Sequence, residues 1–162
     1  MGPVDLSLTA QPASVPTARQ LVRRRCQEWG ADAAASDAAV LLASELVTNA
    51  VLHARTPLTL TVAEGDGTIR VEVRDWHPAL PQARRYNVDT ATGRGLRLLE
   101  TIASAWGVLK VPSAEQPGKI VWFEVPLVTD ATVDEALLAA AFQDVLVVEW
   151  LSEPGPADPE QT

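Results

Sequence analysis

Residues 58–75, LTLTVAEGDGTIRVEVRD, alternate apolar and polar side chains on either side of Gly65-Asp66-Gly67. A period of two predicts a β-hairpin with one apolar and one polar face. Such a sheet must cover its apolar face and can leave the other to solvent. The flanking segments supply the cover. Helices are predicted over residues 17–29, stopped by Gly30 as a C-cap, and from an N-cap at Ser36 or Asp37 to about Ala54, closed by Pro57. A third helix is predicted from Gly95 to about Ala105, followed by a second strand pair, WGVLKVP and GKIVWFEVP. DLSLTA, from Asp5 to Ala10, suits a short edge strand, and residues 76–92 carry no period and read as a long loop. The expected fold class is α/β (α+β), a two-layer sandwich with a mostly antiparallel sheet and helices on one face.

Charge narrows the function classes. Residues 1–126 hold thirteen acids and thirteen bases, so the whole net charge of −8 lies after Leu127, where there are eight acids and neither lysine nor arginine. That end repels phosphate backbones and anionic lipid, so direct nucleic-acid binding and membrane binding are not expected. No run of eighteen apolar residues occurs and the first residues lack a signal-peptide pattern, so a cytoplasmic protein is expected. The single cysteine, Cys26, rules out an intrachain disulfide and fits a half-buried helix position. The expected organisation is an edge segment at 1–15, one domain at 16–126, an acidic helical extension at 127–151 opening on the capping box Thr132/Glu135, and a disordered tail at 152–162.

Three stretches carry chemistry. In SELVTNAVLH, Glu45, Asn49 and His53 follow one another at four-residue spacing and stack along one side of the second helix. They are either a solvated face or a functional ladder. Leu42 and Leu46 beside them, and an asparagine placed where helices disfavour it, favour the ladder. In VEVRD, Asp75 has the parity of the apolar residues Ile69, Val71 and Val73, so its carboxylate points toward the core and needs a partner, unless it simply caps the turn. In TGRGL, Gly93 and Gly95 stand before the third helix, where free backbone amides can hold phosphate, unless the pair serves loop geometry alone. Trp29, Trp106, Trp122 and Trp150 are assigned to packing.

Taken in this order, the stretches resemble the Bergerat ATP-binding fold of the GHKL superfamily, above all its anti-sigma-factor serine/threonine kinase branch. SELVTNAVLHA is similar to the N box, VEVRD to the strand entering the G1 box, TGRGL to the G2 box and GKIVWFEVP to the closing strand. The resemblance implies ATP and Mg2+ as cofactors. It implies Asn49 as magnesium ligand, Glu45 as general base, Asp75 as acceptor for the adenine amino group, and Gly93, Arg94, Gly95 and Leu96 as the phosphate cradle. His53 would flank the site, and residues 76–92 would form the ATP lid. The implied function is a regulatory kinase that acts as an anti-sigma factor and phosphorylates a STAS-domain anti-anti-sigma partner; a homodimer is compatible with it. The sequence departs from the pattern where the G1 glycines should be, since Trp76-His77-Pro78 follow Asp75. The closing strand also lacks the family's threonine, with Ile120 and Val121 as the nearest residues. The alternative is a degenerate, non-catalytic binding module that sequesters a sigma factor or its antagonist.

Overall fold

The computed structural model describes residues 2–77, 91–113 and 117–129, with the backbone alone for 91–96. The expected lid (apart from Trp76, His77, Ala91 and Thr92), the extension helix at 132–151 and the tail lie outside the described residues. The elements run β1 (Val4–Leu8), α1 (Ser14–Glu28), α2 (Ala33–Asn49), a π-turn (Ala50–Ala54), β2 (Leu58–Gly65), β3 (Thr68–Asp75), α3 (Ala91–Ile102), β4 (Ala105–Val111) and β5 (Gly118–Pro126). The five strands form one sheet in the order β1-β2-β3-β5-β4, with every neighbouring pair antiparallel.

The hairpin forms where the alternation places it. Asp66 and Gly67 both take positive φ, 53° and 74°, the conformation that matches the twist of the strands in a two-residue turn. Leu58, Leu60 and Val62 on β2, and Ile69, Val71 and Val73 on β3, point to the helix side and are at most 2% exposed. Phe123 and Val125 of β5 join them from the next strand. The opposite face of the sheet carries Thr59, Thr61, Arg70, Glu72, Arg74, Trp122 and Glu124, all half-buried.

Helix α2 is the centre of the covering layer. It is buried without interruption from Ala38 to Val47, lying on β3 and β5 with α1 and α3 against it. Ala33–Ala54 is long and apolar enough by composition to cross a membrane, but 72% of its most apolar window is buried inside the fold, as befits a core helix.

The helix starts differ from the sequence expectation, α1 beginning at Ser14 rather than Thr17. The N-cap of α2 is Asp32, whose carboxylate accepts the Ala35 amide at 2.7 Å, and Ser36 lies buried inside the helix. The cap is fixed from afar, because the same carboxylate accepts the Thr129 amide at 2.7 Å and Asp32 in turn donates its own amide to the Leu127 carbonyl at 2.9 Å. Helix α3 starts at Ala91 rather than Gly95 and ends at Ile102. It absorbs both glycines, each costing about 1 kcal/mol relative to alanine in a helix interior, and its far end is held by the buried Leu98, Leu99 and Ile102.

Candidate functional site

The polar ladder sits at the C-terminal end of α2 and runs from the interior to the surface. Glu45 is buried at 8% exposure, Asn49 is half-buried and His53 is exposed. The solvated-face reading therefore fails for Glu45. Its neighbour Ser44 is 1% exposed and held at both ends: the hydroxyl donates to the Val40 carbonyl at 2.8 Å and accepts Arg19 Nε at 2.7 Å. Directly after Asn49 the helix widens into the π-turn, a local distortion that recurs at functional sites, and stops at Arg55 in the left-handed region at φ 53°.

A hydrogen bond brings this end of the helix to the end of β3. Thr56, just beyond the π-turn, accepts the Trp76 amide on its hydroxyl at 3.1 Å. Asp75, the preceding residue, is 3% exposed and faces the helix side as its parity requires. Both readings of its carboxylate hold in part. Oδ1 accepts the His77 amide at 2.9 Å, which is the turn-capping contact, and it also takes the Lys119 ammonium at 3.0 Å. The contacts of Asp75 among the described residues fall on Oδ1, and Oδ2 is left as an acceptor.

Lys119 is the residue that sequence reasoning missed. The register sets it directly opposite Asp75, whereas Ile120 and Val121 oppose Arg74 and Val73. The signal was present in GKIVWFEVP: Lys119 shares parity with the buried Val121, Phe123 and Val125, so it had to face inward. Lys119 and Asp75 have 11% and 4% of their side chains exposed, so the pair is desolvated. Gly118 allows the close approach. A Cβ there would stand 2.2 Å from the Asp75 carbonyl oxygen and 3.2 Å from the Trp76 Cα, so only glycine fits.

The early start of α3 changes which amides are free. The N–H groups of the N-cap and the first three helical residues lack partners within a helix, and here the helical three belong to Ala91, Thr92 and Gly93, while Arg94, Gly95 and Leu96 fall within the ladder. Among the described residues no group of three or more His, Cys, Asp or Glu side chains could hold a metal ion. The end of α2 offers the Asn49 carboxamide, an oxygen donor suited to a magnesium ion that keeps water and phosphate oxygens as its other ligands. Asp75 Oδ2 fits the amino group of a base, and the free α3 amides fit phosphate.

The face of the sheet opposite the helices is polar but braced. Arg70 Nε donates to Glu72 and its terminal nitrogen to Glu124, each at 2.7 Å, and the guanidinium lies 4.0 Å from the centre of the Trp122 ring. Burial opposes its charge, but the two carboxylates outweigh this and raise its pKa. Trp122 lies over Gly107, where a Cβ would come within 2.9 Å of the ring. Trp122 thus packs against Arg70 on the outer face, not in the core. Trp76 is similarly met by Arg74, 4.9 Å from its ring centre.

Comparison with known proteins identifies the fold and the family. Residues 8–124 match the family model described as histidine kinase-like ATPase domain. The chain is similar to the crystal structure of the RsbU and RsbW domains of Rv1364c from Mycobacterium tuberculosis, at 23% identity and a TM-score of 0.58 over 78% of this chain and 32% of that one. This chain therefore spans about a third of that structure's length, and the likeness is one of fold. It was also matched to the histidine kinase domain of a blue-light activated histidine kinase from Erythrobacter litoralis EL346, with 20% identity, a TM-score of 0.42, and 71% and 64% of the two chains covered. A search of curated protein sequences returned no match. The chain belongs to the histidine kinase-like ATPase domain family.

Proposed function

We propose that this member of the histidine kinase-like ATPase family binds ATP with Mg2+ between the end of α2, the end of β3 and the start of α3. We further propose that it is a cytoplasmic serine/threonine protein kinase and anti-sigma factor whose substrate is a STAS-domain anti-anti-sigma protein. The observation that carries this reading is the burial of Glu45 one helical turn before the half-buried Asn49. A base and a metal ligand one turn apart are what phosphoryl transfer needs, whereas a binding surface needs neither residue in that place.

The roles follow from chemistry and position. Asp75 accepts the adenine amino group on Oδ2, which orients the nucleotide. The amides at the start of α3 hold the phosphates, with Gly93 leaving room for close approach, Arg94 adding charge, and Gly95 and Leu96 forming the wall behind them. Asn49 contributes an amide oxygen to magnesium, which when bound neutralises phosphate charge. Glu45 accepts the proton of the attacking hydroxyl and needs only hydrogen-bond reach to do so. His53, exposed one turn on, flanks the phosphate side.

Calorimetric titration with ATP and magnesium, beside Asn49→Ala and Asp75→Asn, tests the site. Binding abolished by both substitutions supports it, and a phosphotransfer assay on STAS-domain partners then tests the kinase. A second reading, the non-catalytic module that sequesters a sigma factor or its antagonist, is favoured by the ion pair that already engages Asp75. Failure of the intact protein to bind ATP would select it.

A further inference from the structure

The ammonium of Lys119 is the group at this end of the sheet with no role in the reading above. Among the described residues its partner is Asp75, which uses one of its three N–H donors. The side chain is 11% exposed, so its remaining donors have little water available. On the neighbouring strand, Asp75 spends Oδ1 on Lys119 and on the His77 amide and keeps Oδ2. A free acceptor and a charged donor thus stand side by side across one rung of the ladder.

We propose that Lys119 and Asp75 read the nucleobase as a pair: Asp75 Oδ2 accepts the exocyclic amino group, and Lys119 donates to the ring nitrogen beside it. Adenine presents this combination on either edge, as the amino group with N1 or with N7. The lysine then does more than neutralise the aspartate. It supplies a charged hydrogen bond where Ile120 and Val121 provide none, and it stays on Oδ1 while doing so. This inference rests on the proposed ATP site, because it assumes that the base lies against Asp75.

The test is calorimetric titration of the full chain with ATP, 1-deaza-ATP and 7-deaza-ATP, for the wild type and for Lys119→Met, with circular dichroism as a check on folding. One of the two analogues should bind the wild type about ten- to a hundredfold more weakly than ATP, the range for losing a hydrogen bond to a charged group. That difference should vanish in Lys119→Met. Wild-type affinities equal for all three nucleotides would overturn the proposal, as would an analogue penalty unchanged in Lys119→Met. Tighter ATP binding by Lys119→Met would also overturn it, because Lys119 would then be a plug. If Lys119→Met does not fold, the wild-type series still decides. Absence of any ATP binding to the wild type is a different failure, since it removes the ATP site itself.

Discussion

Asp75 on β3 and Lys119 on β5 are directly opposed in the sheet register and meet at 3.0 Å, each almost shielded from water. In such a pair, desolvation of the two charges roughly cancels their attraction, so the pair itself adds little stability, whereas either charge alone is expensive. The pair fixes where the aspartate points more than it holds the sheet together.

Single removal should therefore be costly and joint removal mild. Lys119→Met is expected to lower unfolding free energy by about 3 kcal/mol, and Asp75→Leu combined with it to recover most of that loss. Urea unfolding of the two singles and the double measures the cycle; equal additive losses would mean that the charges are not coupled.

Gly118→Ala should destabilise the fold and weaken nucleotide binding together. Its Cβ would sit 2.2 Å from a backbone oxygen that belongs to Asp75, so the strands must part where the carboxylate is held. A loss of about 1–3 kcal/mol is expected for such overpacking. Gly65→Ala, whose Cβ would meet nothing within 4 Å, serves as the control in the same thermal melts.

Glu45→Gln should leave ATP affinity within about twofold of wild type and lower phosphotransfer by about 10²–10⁴, the usual contribution of a general base. An unchanged rate would remove Glu45 from catalysis and return it to a structural part.

Asp32 gives the stability an acid limb. Its carboxyl is held below the ordinary 3.8 by the Ala35 amide first, and also by the Thr129 amide and hydroxyl. A depressed folded pKa contributes stability that is complete above the unfolded value and is lost as pH falls through the folded one. Stability should decline below about pH 4, less steeply in Asp32→Asn, which keeps the cap without the charge. At neutral pH, Asp32→Ala should cost about 1–2 kcal/mol. Denaturant titrations from pH 7 down to pH 3 would show both.

Cys26 is fully buried, and burial raises its thiol pKa above the ordinary value. A thiol-specific chromogenic reagent at pH 8 should react only at the rate of unfolding, and at once in denaturant. Rapid labelling of the folded protein would contradict the packing of α1 against α2.

What could be read from the sequence was what local pattern encodes. The hairpin, its turn and the inward parity of Asp75 all follow from alternation within a few residues. The ladder on α2 was visible, but only the fold decides that Glu45 is buried and His53 is not. The rest depended on distant partners. Asp32 is the cap because Thr129, 97 positions away, shares its carboxylate, and Lys119 matters because the register brings it to a residue 44 positions earlier. The start of α3 was hidden because glycines read as breakers, and the π-turn because an apolar helix end gives no local sign of widening.

The hydrogen bonds among Asp32, Leu127 and Thr129 also give the molecule two poles. They anchor the chain leaving β5 to the first turn of α2, whereas Asn49 lies at the last turn of that helix, 17 residues long and so about 25 Å away. Anything joined after residue 129 sets out from the pole opposite the end of α2 at which the nucleotide site is proposed. A fluorophore or an affinity handle attached at Thr129 itself would stand at the capped start of α2, a helix length from the proposed site.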